Sequence, residues 1–176
     1  MGEITRRWPF ESDEYPPFEL IIREPPLTGD SLGLKTWGSS YLLAQNLHHF
    51  ASQSLSHLFQ PSGDSTPITV LELGSGTGIL GLAAAYVWKT SVILTDLPMI
   101  MENLGHNVET NRAIIEAHGG RVEAAALTWG GSEDEIDQRF HSHNGFQVRC
   151  MPLPLAHCLS PNSPSPLVCG CSRSLV

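Results

Sequence analysis

Cysteine is missing from most of this 176-residue sequence: the first is Cys150, and all four lie in the last 27 residues. A body without cysteine excludes a disulfide framework there. The late pair Cys169-x-Cys171, even with His157 nearby, lacks the wider spacing and the second pair of ligands that are typical of zinc sites. We therefore predict no metal site.

Positive charge and long apolar runs are also scarce. With 10 Lys and Arg against 18 Asp and Glu, the net charge is −8, which argues against nucleic acid as a main partner. No apolar stretch approaches the roughly 20 residues of a membrane span, and the first residues lack the apolar run of a secretory signal. We expect no membrane partner and a cytoplasmic location, and we leave the nucleus open as a second location.

The sequence does contain a glycine-rich turn between an apolar strand and a helix, at residues 70–81. Gly74, Gly76 and Gly78 allow a sharp backbone bend and a close approach to a ligand. The free N–H groups at the start of the next helix, predicted over residues 79–88, would face the same ligand. The pattern predicts a ligand site, and a glycine turn without a ligand is the alternative interpretation.

The identity of that ligand depends on Glu72. The spacing Gly76-x-Gly78-x-x-Gly81 fits the dinucleotide fingerprint, which would indicate an NAD-dependent oxidoreductase. However, a carboxylate inside the preceding strand suits a cofactor with a positive charge and an amino group better than a pyrophosphate. The pattern acid-x-Gly-x-Gly-x-Gly resembles motif I of class I S-adenosylmethionine (SAM) methyltransferases.

A second strand, predicted over residues 91–96, ends in Asp96, 18 residues after Gly78. An acid at this strand end is typical of the residue that binds the ribose hydroxyls of a nucleoside cofactor. Aspartate is also a common helix N-cap. We favour the ribose role, because strand, glycine turn, helix, strand and acid follow one another in the expected order.

The N-terminal part carries weaker signals. Residues 1–17 are polar and contain several prolines, and we expect them to be poorly ordered. Residues 18–23 predict a short strand. Ser39 or Ser40 is the expected N-cap of a helix, continuous or broken, that reaches about Phe59.

A second helix is predicted over residues 99–118, where asparagine recurs every four residues at positions 103, 107 and 111. We expect these amides to be solvated or to act as caps. Residues 121–130 predict a third strand, and Trp129 at its end lies where open α/β sheets bind ligands, although a core role fits as well. Residues 133–140 predict a polar helix or loop, and a fourth strand begins near residue 144.

Five blocks in this order resemble the family-16 methyltransferases of the fungal type, which are seven-strand SAM enzymes that mostly methylate protein lysines. The resemblance spans about residues 18–146. The blocks are Thr36-Trp37-Gly38-Ser39-Ser40, Leu71-Glu72-Leu73-Gly74-Ser75-Gly76-Thr77-Gly78, Leu94-Thr95-Asp96-Leu97-Pro98, Asn103-Leu104 with Asn107, and Leu127-x-Trp129-Gly130.

The resemblance implies an α/β fold: a partial Rossmann-like doubly wound sheet of the class I methyltransferase type, with an N-terminal strand and helix extension. It implies SAM as the cofactor. Glu72 would orient its amino group, Asp96 would bind the ribose, and Trp37 would cover the cofactor. The turn residues Gly74, Ser75, Gly76, Thr77 and Gly78 would hold its methionine end, and Leu97 and Trp129 would flank the adenine.

The sequence departs from the family pattern after Val148. The Asp-x-x-Tyr element expected at the end of strand four is missing, and residues 149–176 contain five prolines, all four cysteines and no acid. We expect a flexible segment at residues 1–17, an incomplete methyltransferase domain at 18–148, and an aberrant or disordered tail at 149–176. We also expect the glycine-loop strand to be a sheet edge, and the chain to be a truncated and inactive form.

The expected function is therefore SAM-dependent N-methylation of a lysine in a protein substrate. The alternatives are a small-molecule, nicotinamide-like N-methyltransferase and a non-catalytic SAM-binding fragment. The sequence assigns no catalytic residue and no oligomeric state.

Overall fold

A computed structural model describes residues 2–26, 32–59, 69–128 and 133–141. The strands are β1 (Ile4–Ser12), β2 (Tyr15–Glu24), β3 (Thr69–Leu73), β4 (Ser91–Asp96) and β5 (Arg121–Ala126), and the helices are α1 (Gly38–Gln45), α2 (Leu47–Ser52), α3 (Ser56–Phe59), α4 (Ile79–Trp88) and α5 (Met101–Ala117). Short 3-10 turns occupy Leu32–Leu34, Pro98–Ile100, Glu133–Glu135 and Gln138–Phe140.

A parallel sheet with strand order β3-β4-β5 forms the centre of the described structure. Glu72 lies opposite Leu94, and Asp96 lies opposite Ala126. The helices α4 and α5 are the crossover connections and contact each other. This arrangement confirms the predicted α/β class and is consistent with a partial class I methyltransferase fold. Within the described residues, β3 is at the edge of the sheet, as expected.

Two central elements match the sequence prediction residue for residue: α4 and β4. The second helix begins slightly later than predicted, after a 3-10 turn at Pro98–Ile100, and β5 ends at Ala126 rather than at residue 130. The acidic segment predicted over residues 133–140 forms two 3-10 turns. The fourth strand predicted near residue 144 lies outside the described residues.

The expectation of a poorly ordered N-terminus was wrong. Residues 4–24 form an antiparallel hairpin of β1 and β2, in which Phe10 is fully buried and stacks on Phe18 at a centroid distance of 4.7 Å. Phe18 stacks in turn on Tyr86 of α4 at 3.7 Å. This aromatic column joins the hairpin to the core, so that pairing and packing outweigh the local effect of the prolines.

The segment predicted as a helix, continuous or broken, that reaches about Phe59 is divided into α1, α2 and α3. Its N-cap is Trp37, which makes no side-chain capping bond, so the prediction of Ser39 or Ser40 was wrong. Packing compensates for the missing cap, because α1 and α2 both lie against α4. Trp88 of α4 also donates its indole N–H to the carbonyl of Leu47 at 3.0 Å.

The three asparagines of α5 were predicted to be solvated or capping, and this was wrong. Their exposed fractions are 2% for Asn103, 0% for Asn107 and 2% for Asn111. Asn111 accepts from the backbone N–H of Ile21 and donates to its carbonyl, both at 2.8 Å. Asn107 makes the same two bonds to Arg23. The amides are buried because they satisfy the backbone of β2, which docks the hairpin on α5.

Candidate cofactor site

The glycine loop, residues 74–78, connects β3 to α4 at the carboxyl edge of the parallel sheet. Three of its glycines adopt left-handed backbone angles, with φ of +69° at Gly74, +58° at Gly76 and +85° at Gly78. These angles disfavour other residues, so the loop depends on glycine. The predicted strand, sharp turn and helix are confirmed, and the carboxyl edge is where open α/β sheets bind ligands.

The three glycines have different surroundings. A Cβ at Gly76 would lie 3.0 Å from the carbonyl oxygen of Gly33, and one at Gly78 would lie 2.8 Å from the side chain of Leu104. At Gly74, by contrast, no described atom lies within 4 Å of the Cβ position. Gly76 and Gly78 therefore allow close packing within the protein, whereas Gly74 marks the open side of the loop.

Hydrogen bonds fasten the loop to the end of β4. Ser75 donates its backbone N–H to the carbonyl of Thr95 at 2.9 Å, and its hydroxyl accepts from the N–H of Thr95 at 3.1 Å. The hydroxyl of Thr95 donates to the carbonyl of Glu72 at 2.6 Å. Inside the turn, the N–H of Gly78 donates to the carbonyl of Ser75 at 2.8 Å. The loop is thus held in one conformation by its neighbours.

Asp96 lies directly beside the glycine loop. Its Oδ2 accepts from the backbone N–H of Gly76 at 2.6 Å, and its Oδ1 accepts from its neighbour Leu97 at 2.7 Å. The structure therefore brings the predicted ribose-binding acid and the predicted turn together. The bond to Leu97 also fits the capping interpretation, because that residue precedes a 3-10 turn. The ribose role stays a prediction.

Glu72 points away from solvent, under the first turn of α4. Its Oε2 is buried and makes no well-formed hydrogen bond to any residue that the structure describes, although the Ser75 hydroxyl and the Gly81 backbone lie close to the carboxyl. Burial raises the pKa of Glu72 to about 8, although the Ser75 hydroxyl and the Gly81 backbone act in the opposite direction. Gly81 leaves room for this carboxyl, because a Cβ there would overlap with Oε2.

A covering segment, residues 32–37, crosses the loop from the N-terminal side. The carbonyl of Gly33 touches Gly76, and the hydroxyl of Thr36 lies 2.9 Å from that of Thr77, which is buried. Trp37 follows with 58% of its surface exposed. Trp37 directly follows Thr36 in the chain, and its role as a cover for the cofactor stays a prediction.

Two more large apolar side chains are exposed after Asp96. Leu97, predicted to flank adenine, is 43% exposed, and Met99, which the sequence interpretation missed, is 68% exposed. Exposed apolar groups beside a polar loop are suited to stacking on a flat heterocycle. Trp129, the other predicted adenine neighbour, lies outside the described residues.

One cavity in the described structure lies away from the glycine loop. It has a volume of about 780 Å³ and is lined by residues that include Trp88, Lys89, Ser91, Gly120 and Arg121. Ser91 and Arg121 begin β4 and β5, so the cavity lies at the edge of the sheet opposite the glycine loop. We assign it no part in the site.

Neither a metal cluster nor a membrane-spanning helix occurs within the described part of the chain. Among the described residues, no three His, Cys, Asp or Glu side chains are grouped as metal ligands would be. None of the helices in this part of the chain combines the length and apolar character that crossing a membrane requires.

Fold and loop geometry define a class I methyltransferase type of structure. The sequence pattern of the lysine methyltransferase family matches residues 16–144, and the chain belongs to this family. The predicted family is thereby confirmed.

Individual relatives are similar over different lengths. Protein-lysine N-methyltransferase rrg1 of Schizosaccharomyces pombe is 39% identical over 116 residues, covering 66% of this chain and 35% of the relative. Protein-lysine N-methyltransferase EFM2 of Saccharomyces cerevisiae is 37% identical over 167 residues, covering 89% and 37%. EEF1A lysine methyltransferase 3 of Mus musculus is 44% identical over 75 residues, covering 43% and 28%. The chain thus spans about a third of the fungal relatives' length.

Proposed function

We propose that the glycine loop and Asp96 form the cofactor site of a SAM-dependent protein-lysine methyltransferase. One observation carries the proposal: the loop residue Gly76 is hydrogen-bonded at 2.6 Å to the acid that ends the neighbouring parallel strand. A loop for the methionine end and an acid for the ribose must be adjacent to hold one nucleoside cofactor. Family membership supports the choice of SAM over a dinucleotide.

The residues present fit SAM in three respects. Gly74 has open space in front of it, so a ligand can approach the loop. The buried Oε2 of Glu72 lacks a partner among the described residues, and a nearby positive charge would favour its ionised form. Trp37 and Leu97 offer exposed apolar surface to a heterocycle. A pyrophosphate, with its negative charge, would gain nothing from Glu72.

When bound, SAM supplies a methyl group on a positively charged sulfur, which a deprotonated amine can accept by in-line displacement. The protein must hold the two partners in line and exclude water. In the described residues, the loop and Asp96 would hold the cofactor, and the covering segment would shield it on one side. The lysine acceptor is proposed from the names of the fungal relatives.

Calorimetric titration of the 176-residue chain with SAM, with its demethylated product and with NAD tests the cofactor. We expect saturable binding of the first two and none of NAD. Binding of NAD alone would overturn the proposal. Transfer of a labelled methyl group to a proteome extract and to small amines tests the acceptor and the predicted inactivity together: we expect no labelling, labelled protein would contradict the inactivity, and labelling of small amines alone would favour the small-molecule alternative.

The variant Asp96→Ala tests the ribose role. We expect it to weaken SAM binding by about 1–3 kcal/mol, because charge-assisted hydrogen bonds to the ribose would be lost. Asp96→Asn is the matched control, since it keeps one oxygen for the backbone N–H of Gly76 or Leu97 and removes the charge. Unchanged affinity in both variants, with lowered thermal stability in Asp96→Ala, would show that Asp96 only caps the loop.

A further inference from the structure

Thr77, the loop residue that precedes Gly78, is held at its hydroxyl and at its backbone carbonyl. It is 2% exposed. Its hydroxyl lies 2.9 Å from the hydroxyl of Thr36 in the covering segment. Its backbone carbonyl accepts from the side-chain amide of Asn107 in α5 at 3.0 Å. Neither partner belongs to the strand or the helix that the loop connects.

Both contacts lead back to neighbouring residues of β2. Asn107 accepts from the backbone N–H of Arg23 at 2.8 Å and donates to its carbonyl at 3.2 Å. The backbone N–H of Thr36 donates to the carboxylate of Glu24 at 3.3 Å. Two short chains of hydrogen bonds thus run from the end of the hairpin to opposite sides of Thr77.

The side-chain amide of Asn107 can make its hydrogen bonds to Arg23 and Thr77 in one orientation only. Its oxygen faces an N–H, and its nitrogen faces the carbonyls of Arg23 and Thr77. A flipped amide would place like groups against each other. Because the side chain is fully buried, replacing it would leave these three backbone groups without that partner.

We propose that Asn107 and Thr36 are positioning residues through which the N-terminal hairpin sets the glycine loop for its cofactor. The inference rests on the proposed function and extends it to the hairpin. A loop with three left-handed glycines has many conformations open to it, so external restraints reduce the ordering that binding would otherwise require.

The chain contains a matched control for Asn107. Asn111 lies one turn later on α5, is equally buried, and makes the same pair of bonds to the backbone of β2. Its remaining amide bond goes to the carbonyl of Asn107 within α5, not to the glycine loop. Asn107→Ala and Asn111→Ala should therefore lower the free energy of unfolding by similar amounts. Only Asn107→Ala should remove a hydrogen bond from the glycine loop.

The first measurement compares cofactor affinity at matched folded fractions. We expect Asn107→Ala to bind the demethylated product of SAM about five- to tenfold more weakly than the unsubstituted chain, the change expected for one hydrogen bond. Asn111→Ala should bind within about twofold, since its lost bonds are remote from the loop. Equal losses in the two variants would overturn the proposal.

The second measurement needs no ligand, so it separates this inference from the proposed function. Hydrogen exchange of the backbone amides of Ser75, Gly76 and Gly78, all of which donate hydrogen bonds, reports how firmly the loop is held. We expect several-fold faster exchange in Asn107→Ala and no comparable change in Asn111→Ala. Unchanged exchange in both variants would contradict the positioning role even if the cofactor binds.

Thr36→Val provides a test that does not depend on a buried helix position. It keeps the shape of the side chain and removes the hydroxyl beside Thr77. We expect the same direction of change as for Asn107→Ala, in affinity and in loop exchange, at a few-fold magnitude. Wild-type values in Thr36→Val would remove the covering segment from the proposal.

Discussion

Two glutamates near strand ends have carboxyl groups shielded from solvent, Glu24 as a buried residue and Glu72 as a partly buried one, and their surroundings differ. The side chain of Glu24, which ends β2, is 5% exposed and lies 3.6 Å from both Arg6 and Lys35. It also accepts the backbone N–H of Thr36. Glu72 in β3 has no ion pair within the described part of the chain, and its Oε2 lacks a hydrogen bond there.

The difference is that Glu24 has cations beside it within the described part of the protein, whereas Glu72 has none there. A buried carboxylate with cations and an N–H donor has its charge compensated inside the protein. A buried carboxyl without a cation beside it is favoured in its protonated form or destabilises the fold, and such groups concentrate at functional sites. Glu24 fastens the hairpin to the covering segment, whereas no cation lies beside Glu72 among the described residues.

The largest expected effect is on the pH dependence of stability. The pKa of Glu72 is raised from 4.5 to about 8, so the folded state favours the protonated carboxyl. The contribution of this side chain to the free energy of unfolding is therefore most favourable below pH 4.5 and is lost as the pH rises to 8. Glu72→Gln should therefore raise the free energy of unfolding at pH 7 by on the order of 3 kcal/mol and change it little at pH 4.5.

Urea unfolding at pH 4.5, 7 and 8 checks this prediction through the difference between the variant and the unsubstituted chain. Glu116→Gln, a change at an exposed position on α5, is the control, and it should show no such pH-dependent gain. A constant difference for Glu72→Gln across the three pH values would mean that Glu72 is compensated in the fold, as Glu24 is. The proposed difference between Glu24 and Glu72 would then be wrong.

The next effect concerns the space that Gly81 leaves for Glu72. A helical Gly→Ala change usually stabilises, but here the new methyl would overlap with Oε2 and lie 3.0 Å from the side chain of Leu94. We expect Gly81→Ala to destabilise by about 1–3 kcal/mol. Gly105→Ala in α5, where the Cβ would meet no described atom within 4 Å, should instead stabilise by about 0.5–1 kcal/mol.

A double-mutant cycle makes the second prediction sharper. If Oε2 causes the clash, then combining Gly81→Ala with Glu72→Ala should cost less than the sum of the two single changes. Thermal or urea unfolding of the four proteins measures the coupling. Strict additivity would show that Leu94, not Glu72, limits the residue at position 81.

The smallest of the three effects is expected at Glu24. Glu24→Gln should lower the free energy of unfolding by about 1–2 kcal/mol, less than for a fully buried pair because Arg6 and Lys35 keep 53% and 23% of their side-chain surface exposed. At pH 7 Glu24→Gln should thus lower the free energy of unfolding, whereas Glu72→Gln should raise it. A stabilising effect at Glu24, measured under the same conditions, would contradict the assignment of the two carboxyls.

The sequence predicted those parts of the fold whose signals are local. An apolar run, spaced glycines and a terminal acid are sufficient to place α4 and β4 exactly where they occur. The sequence could not predict in this way that β1 is an ordered strand, because β1 is held by contacts of Phe10 with Phe18 and of Phe18 with Tyr86. Such contacts join residues that are far apart in the chain.

The candidate site shows the same division. The glycine loop and Asp96 could be predicted to meet, since adjacent parallel strands end at one edge of a sheet. That Glu72 turns under Gly81, or that Asn107 reaches Thr77, requires the packing of a helix and a hairpin that sequence spacing alone does not fix. The four-residue repeat of asparagine was the available signal, and it was interpreted as a solvent-facing stripe.

Because of that repeat, side chains of α5 hydrogen-bond to the backbone of β2 at the regular spacing that the backbone of a neighbouring strand would offer. Four residues of helix rise about 6 Å, and two residues of strand rise about 6.6–6.8 Å, so Asn111 and Asn107 can pair in step with Ile21 and Arg23. The next strand position in this register is Pro25, which has no N–H to offer. The side chain of Asn103 accepts from the guanidinium of Arg23 and donates to the carbonyl of the same residue, which Asn107 also contacts. A helix can thus satisfy the backbone at a sheet edge through two successive side chains, before the spacing along the helix and the spacing along the strand diverge.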